Sequence, residues 1–99
     1  MDYFRRTLPS LDVLVFFEAA SRLGNYSSAA RELNVSQVAV SKRIKALEDH
    51  IGRVLFERKG RSISLTEEGR AFSEKVKTGL AFLEEAIVTV RADAPRTRQ

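Results

Sequence analysis

The chain has 99 residues, of which 43% are hydrophobic and 30% charged, a length and composition typical of one small soluble globular domain. It contains no cysteine, which excludes disulfide bonds and cysteine-based zinc or redox sites. The net charge is +4, and residues 37–61 hold seven Lys or Arg against three Asp or Glu, so this segment accounts for the whole excess. Basic charge gathered in one segment favours a polyanionic partner.

The sequence carries no sign of secretion or of membrane insertion. Its first residues lack the apolar stretch and small-residue cleavage site of a secretory signal. Its uncharged apolar runs are far too short to cross a bilayer, and its apolar helix faces are needed for a core. We therefore expect a cytoplasmic protein with no membrane partner.

The first long helix is predicted from Ser10 to about Leu23, because Pro9 and Ser10 mark its start and Gly24-Asn25 its end. Apolar residues at helical spacing define the side expected to face the core. They are Leu11, Val13, Leu14, Phe16, Phe17 and Ala20. Tyr26 is expected to pack beneath the next helix, and the alternative is that its hydroxyl contacts a phosphate.

Two shorter helices joined by a tight turn follow. Ser27 and Ser28 are helix N-cap residue types, so the first of these helices is predicted to start there. Asn34 stands where it must end, and Asn tolerates the left-handed conformation that such an end requires. Val35 is then expected to fill the core from the turn, and Ser36 to cap the next helix.

The helix after the turn has an apolar stripe of Val40, Ile44 and Leu47 and a polar opposite face. This arrangement lets one face hold the helix against a core while the other enters a DNA groove. Glutamine, serine and lysine can pair with base edges, and valine can touch a thymine methyl. We predict base contacts from Gln37, Val38, Ser41 and Lys42. The alternative is an ordinary solvated face on an amphipathic helix.

Basic and hydroxyl side chains around this helix are candidates for phosphate contacts. They are Ser27, Ser28, Arg31, Ser36, Arg43, Lys45 and Arg53. Further along, residues 55–58 and 62–65 alternate apolar and polar residues around a Lys59-Gly60-Arg61 turn, which predicts a two-stranded wing with Phe56, Ile63 and Leu65 facing inward. Its basic residues Arg58, Lys59 and Arg61 are predicted to contact phosphate or the minor groove.

The last helix is predicted to begin after Thr66, which caps it, and to run to about Ala92. An apolar stripe continues along it at steps of three and four residues: Phe72, Val76, Leu80, Leu83, Ile87 and Val90. Such a stripe either packs back on the first helix or pairs with the same helix of a second copy.

No pattern in the chain predicts catalysis or a bound cofactor. His50 is the single histidine, and one histidine without cysteines cannot build a metal site. The pairs Glu67-Glu68 and Glu84-Glu85 are adjacent on helices, so their members point in different directions and do not converge on one substrate. We expect no enzymatic activity, no metal and no cofactor.

Motifs in a fixed order now identify a family resemblance. They are Leu11-x-x-Leu14-x-x-Phe17, Ser28-Ala29-Ala30-x-x-Leu33-x-Val35-Ser36-Gln37-x-Ala39-Val40-Ser41-Lys42-x-Ile44-x-x-Leu47-Glu48, Gly52-x-x-Leu55-Phe56-x-Arg58 and Leu65-Thr66-x-x-Gly69. The stretch from Leu8 to Gly69 thereby resembles the N-terminal DNA-binding domain of LysR-type transcriptional regulators of bacteria. The opening Leu8-Pro9-Ser10-Leu11 resembles the glycine-cleavage-activator branch. Position 38 departs from the family pattern, since many members have Pro where this chain has Val.

The resemblance and the residues together predict an all-α dominated fold: a winged helix-turn-helix of three helices and a two-stranded β wing, followed by a long C-terminal linker helix. We expect a DNA-binding domain at 1–66, a linker and dimerisation helix at 67–92 and a flexible tail at 93–99. In this family the linker helix makes the dimer, and a larger effector-binding domain usually follows, so the chain resembles a fragment or an unusually short member.

The expected partner is double-stranded DNA with a pseudo-palindromic site, bound by a homodimer. A full-length protein could also form a tetramer. Three alternatives remain at this point. The chain could bind DNA non-specifically, serve only for dimerisation, or be the DNA-binding part of a recombinase or transposase.

Overall fold

A computed structural model of the protein describes residues 2–92, and in this range five helices and one antiparallel pair of strands follow one another. Their bounds are α1 Tyr3–Thr7, α2 Leu11–Leu23, α3 Tyr26–Leu33, α4 Gln37–Ile51, β1 Phe56–Lys59, β2 Ser62–Leu65 and α5 Glu67–Ala92. The predicted winged helix-turn-helix with a long C-terminal helix is confirmed. The short helix α1 was not predicted. The tail expected at 93–99 lies outside the described residues.

Helix ends follow the local residue chemistry, with one correction. The Ser10 hydroxyl accepts a hydrogen bond from Val13 N at 3.3 Å, and Gly24 ends α2 in the left-handed conformation. The prediction that Ser27 and Ser28 start α3 was wrong. Asn25 is the cap, because its extended backbone lets its side chain accept from Ser28 N at 2.7 Å.

The turn between α3 and α4 has the expected backbone. Asn34 is left-handed at φ 59° and ψ 46°, and the Ser36 hydroxyl accepts from Ala39 N at 3.0 Å. The prediction that Val35 fills the core was wrong, since its side chain is 38% exposed. The turn closes instead through Val35 N, which donates to the Ala30 carbonyl, and the buried side chains beneath it belong to the flanking helices.

The core lies where α2, α3 and α4 meet the wing and the start of α5. Its fully buried larger side chains are Phe17, Val40, Ile44, Leu47 and Leu55. The Phe17 ring packs 5.4 Å from Phe56 of β1 and 5.1 Å from Phe72 of α5, measured between ring centroids. One aromatic residue of α2 thus joins the wing and the C-terminal helix to the helix-turn-helix.

Leu11 does not belong to this core, contrary to the sequence prediction. It is 55% exposed, because it is the first residue of α2 and no part of the described chain covers it. Phe16, Phe17 and Ala20 are buried as expected, and Val13 and Leu14 are half-buried. The core therefore covers only part of the apolar face of α2.

Hydrogen bonds attach the wing and the chain beside it to the helices. The Glu48 carboxylate accepts from the backbone N–H of Leu55 at 2.8 Å and of Phe56 at 3.3 Å. Ile63 N donates to the Gly24 carbonyl at 3.0 Å. Thr66 caps α5 by accepting from Gly69 N at 2.9 Å, as predicted, and its hydroxyl donates to the Val54 carbonyl. The base of the wing is thereby held at both strands.

The two halves of helix α5 differ in how far their apolar side chains are buried. Val76 is buried and Phe72 and Leu80 are half-buried against the core, whereas Leu83 is 50% exposed and Val90 69% exposed. Its first half thus packs on the domain, and its second half extends away with an apolar stripe uncovered. No helix in residues 2–92 combines the length and apolarity needed to span a bilayer.

Candidate nucleic-acid interface

Helix α4 presents its predicted recognition face to solvent. Gln37, Val38 and Lys42 are exposed, and Ser41 is half-buried at the edge of the face. Val38 is 63% exposed, so its methyl groups are free to make an external contact. The opposite stripe of Val40, Ile44 and Leu47 is completely buried and fixes the rotation of the helix.

The N-terminal end of α4 is suited to an anion. The Ser36 hydroxyl satisfies one of the free backbone N–H groups, and the first turn holds no acidic residue. The positive end of the helix dipole is therefore not neutralised by the chain itself. Gln37 and Val38 are the first two residues of this end.

Residues from α3, α4 and the wing meet around a polar depression of about 420 Å3. It is lined by Asn25, Tyr26, Ser27, Arg31, Gln37, Arg58, Gly60, Arg61 and Ile63. Five of these are residues predicted from the sequence to contact DNA. The structure therefore brings a base-contact candidate, two phosphate candidates and two wing arginines to one continuous surface.

Tyr26 forms the floor of this depression beneath the wing. The Arg58 guanidinium carbon lies 5.3 Å from the centroid of the Tyr26 ring, and the same ring packs edge-on against Phe56. Burial raises the pKa of the Tyr26 hydroxyl, with a further increase from the Glu48 charge and an opposing effect of Arg58. The phenol is therefore neutral at physiological pH and can donate a hydrogen bond to an anion.

Some of the basic residues predicted to contact phosphate already form ion pairs within the protein. Arg43 Nη1 lies 2.9 Å from Asp12 Oδ2, and its guanidinium stacks over Phe16 at 4.9 Å, so it faces α2. Lys45 lies 3.3 Å from Asp49, and Arg53 lies 3.6 Å from Glu68. These pairs are exposed, so their net contribution to stability is small and a phosphate can compete for the cation.

A second group of cations has no ion pair with the described part of the chain. It comprises Lys42 on α4 and Arg58, Lys59 and Arg61 on the wing, all of them exposed. Arg31 lies between the two groups, with its Nη2 atom 3.4 Å from the Ser28 hydroxyl. Ser28 itself is half-buried, and Ser36 is occupied as a helix cap.

Asn25 and Tyr26 also line the depression. The sequence predicted a helix end at Asn25, and for Tyr26 a core position with a phosphate contact as the alternative. Asn is itself a preferred N-cap residue, and this preference could have placed Asn25 at the start of α3. His50 Nε2 donates a hydrogen bond to the Thr7 carbonyl oxygen at 2.7 Å, which attaches the end of α1 to α4. Residues 2–92 contain no cluster of His, Cys, Asp or Glu able to hold a metal ion.

Comparison with known proteins identifies the family. The family model described as bacterial regulatory helix-turn-helix protein, lysR family, matches residues 11–70. The chain belongs to the LysR family. The LysR resemblance expected from the motifs is thereby confirmed, and the matched range includes the helix-turn-helix and the wing.

Curated LysR relatives cover most of this chain. The glycine cleavage system transcriptional activator of Escherichia coli (strain K12) is 44% identical over 87 residues, which are 88% of this chain and 28% of that protein. The HTH-type transcriptional regulator TrpI of Pseudomonas aeruginosa is 50% identical over 64 residues, 65% of this chain and 22% of that protein. The chain thus spans under a third of these relatives, and their names agree with the expectation of a non-enzymatic chain.

Solved structures match the fold over nearly the same range. The CbnR_DBD–DNA complex contains a chain that is 36% identical, with a TM-score of 0.79, covering 88% of this chain and 100% of that chain. A chain in the BenM_DBD/benA site 1 DNA complex is 26% identical, with a TM-score of 0.83, covering 89% of this chain and 99% of that one. Both matched chains were crystallised with DNA.

Proposed function

We propose that this chain binds double-stranded DNA sequence-specifically and is the DNA-reading part of a bacterial transcriptional regulator. The observation that carries the proposal is the single surface formed by the exposed face of α4 and the basic wing around one polar depression. In this proposal α4 enters the major groove and the wing lies along the neighbouring minor groove. The two matched chains solved in complex with DNA support DNA binding by a domain of this fold.

The side chains on α4 have distinct roles in this proposal. Gln37 can pair with the N6 and N7 atoms of adenine, and Lys42 can donate to guanine or to a phosphate. Val38 is placed to contact a thymine methyl, and Ser41 to bond at the edge of the same groove. Because the buried stripe fixes the rotation of α4, these four residues face one side together.

Phosphate contacts come first from cations that have no partner in the described chain. Lys59 and Arg61 of the wing fit this description, and Arg31 and Ser27 line the same depression as Arg61. Arg43, Lys45 and Arg53 each lie beside a carboxylate, so they contribute only when a phosphate replaces it. Ser28 and Ser36 contribute through their positions near the start of α3 and α4.

Dimerisation completes the proposal, because a two-fold DNA site requires two copies of the reading helix. The uncovered second half of α5, with Leu83, Ile87 and Val90, is the surface proposed to pair with the same helix of a second copy. We propose that a longer form of the protein regulates transcription in the bacterial cytoplasm, as a dimer or a tetramer. The remaining stripe residues, Phe72, Val76 and Leu80, serve mainly to attach α5 to the core.

Selection of binding sites from a pool of random DNA duplexes tests the function directly. The 99-residue chain is expected to enrich sequences with two inverted half-sites whose centres lie about one helical turn, or a multiple of it, apart. If no sequence is enriched, and binding to all duplexes weakens equally with rising salt concentration, the chain is a non-specific DNA binder instead. Absence of binding to duplex DNA would leave only a dimerisation role.

A further inference from the structure

The half-buried side chain of Glu48, near the end of α4, holds the chain where β1 begins. Its Oε2 atom accepts hydrogen bonds from Leu55 N at 2.8 Å and from Phe56 N at 3.3 Å. Of the hydrogen bonds within residues 2–92, the bond to Phe56 is the only one between α4 and β1. Strand β2 is attached elsewhere, by Ile63 N to the Gly24 carbonyl at the end of α2. The position of β1 relative to α4 therefore depends on one carboxylate.

Two side chains on one face of β1 contact the Tyr26 ring. Phe56 and Arg58 are two positions apart on the strand, so their side chains leave it on the same side. The centroids of the Phe56 and Tyr26 rings are 6.1 Å apart, and the Arg58 guanidinium carbon lies 5.3 Å from the Tyr26 centroid. Fixing the backbone of Phe56 thus also fixes where the Arg58 side chain reaches the polar depression.

Helix α4 carries both this anchor and the residues proposed to read bases. Glu48 lies about three helical turns after Gln37, on the same side of the helix. Gln37 lines the depression together with the wing residues Arg58 and Arg61. The contact that joins β1 to α4 therefore also sets how the wing arginines are placed relative to the base-reading face.

We propose that Glu48 is a positioning residue for DNA binding: by holding the start of β1, its carboxylate aligns the wing arginines with the base-reading face of α4. The inference rests on the proposed function and deepens it, because it gives a part in DNA binding to a residue that does not itself contact DNA. Glu48 acts through Arg58 and Arg61, which bind the DNA backbone only when the wing lies at the correct angle to α4.

The charge of Glu48 by itself acts against DNA binding. The carboxylate lies close enough to the depression for its charge to raise the pKa of the Tyr26 hydroxyl, in addition to the larger effect of burial. A negative charge beside a surface that binds phosphates repels them, so removing the charge alone should not weaken DNA binding. Removing the acceptor oxygen should weaken it, because β1 is released. The charge and the acceptor oxygen therefore have opposite effects, which two neutral variants can separate.

Fluorescence anisotropy with a selected duplex compares Glu48→Gln with Glu48→Met. Both new side chains are neutral and of similar length, but only glutamine has a strong acceptor oxygen. Glu48→Gln is expected to retain the affinity of the unaltered chain, and Glu48→Met to bind about fivefold more weakly, the effect of one lost hydrogen bond. Glu57→Gln and Glu57→Met form the matched control pair at an exposed position of β1 and should bind equally.

Salt dependence separates positioning from a mere loss of stability. The slope of log Kd against log salt concentration should fall in Glu48→Met, by about 0.9 for each phosphate contact that the released wing loses, and stay unchanged in Glu48→Gln. A smaller folded fraction weakens binding equally at every salt concentration and leaves the slope unaltered. Circular dichroism gives the folded fraction of each variant, by which its Kd is corrected.

Three results would overturn the positioning role of Glu48. They are equal corrected affinities of Glu48→Gln and Glu48→Met, an unchanged slope for Glu48→Met, and a difference between the two variants that persists in an Arg58→Ala/Arg61→Ala background. In the last case Glu48 acts without the wing arginines. Failure of the unaltered chain to bind any duplex is a different result, since it refutes the proposed function itself.

Discussion

At the scale of single residues, two glycines of α5 have opposite environments. A Cβ at Gly69 would lie 2.1 Å from the Leu55 carbonyl oxygen, whereas a Cβ at Gly79 would have no neighbour within 4 Å. The motif Leu65-Thr66-x-x-Gly69 was recognised in the sequence, but its physical reason, close approach of α5 to the chain entering the wing, requires the fold. Gly79 lies on an exposed part of α5 and meets no such constraint.

Gly69→Ala is expected to lower the free energy of unfolding by roughly 3 kcal/mol, because a backbone carbonyl cannot move away as a side chain can. Gly79→Ala is the matched substitution and is expected to raise it by about 1 kcal/mol through helix propensity alone. Urea denaturation at one fixed protein concentration measures both. Equal effects at the two positions would contradict the packing described for Gly69.

Tyr26 and Arg58 are expected to act together in DNA binding. If the Tyr26 ring positions the Arg58 guanidinium, Tyr26→Leu and Arg58→Ala should each weaken binding by about fivefold, and the double variant no further. Tyr26→Phe keeps the ring and should retain most of the affinity. Fluorescence anisotropy with a selected duplex measures the four constants. Additive losses in the double variant would show that the two residues act independently.

The exposed residues of α4 were predictable because helical periodicity alone separates Gln37 and Lys42 from the buried stripe. The pairing of Arg43 with Asp12 was not, since the two residues are 31 positions apart and meet only when α4 packs on α2. The same limit applies to the contact between Tyr26 and Arg58.

At the scale of secondary-structure elements, prediction succeeded where an element has an apolar period and a cap. Helices α2 and α4 have both, and their bounds followed from Ser10, Gly24 and Ser36. Helix α1 has neither: it is five residues long, buries nothing and has no side-chain cap. Isolated helices of that length are marginal, so local sequence does not predict one.

Glu48 is expected to decide how firmly the wing is attached. Its carboxylate accepts from two backbone N–H groups at the start of β1, and hydrogen bonds to a charged group contribute more than neutral ones. Glu48→Ala should lower the free energy of unfolding by about 2 kcal/mol. Glu57→Ala, at an exposed position of β1, is the control and should change it little. Thermal or urea unfolding with similar losses for both variants would exclude the anchoring role.

At the scale of the whole molecule, charge and apolar surface occupy different faces. The basic wing and α4 form the surface proposed to face DNA, whereas other residues, Leu8, Leu11, Phe82 and Leu83 among them, line an apolar groove beside α5. Composition predicted a polyanionic partner from the charge of residues 37–61. It could not show the groove, because Leu11 is a core residue by periodicity alone and becomes a groove residue only when α1 and α5 are in place.

Salt dependence reports how much of the basic surface reaches the DNA backbone. Lys59→Ala is expected to reduce the slope of log Kd against log salt concentration by about 0.9 if this side chain neutralises one phosphate. Arg91→Ala, on the exposed end of α5, should leave the slope unchanged. A titration series in increasing salt measures both variants. An unaltered slope for Lys59→Ala would remove the wing from the backbone contacts.

The central claim is that the exposed face of α4 reads bases. Its most direct test compares the affinity of the unaltered chain and of the Gln37→Ala/Lys42→Ala variant for a selected duplex and for mixed-sequence DNA, with Lys77→Ala of α5 as the charge control. The account predicts that the double variant loses about tenfold or more on the selected duplex and much less on mixed DNA, while Lys77→Ala retains both affinities. Equal affinity of the double variant and the unaltered chain for the selected duplex would contradict it.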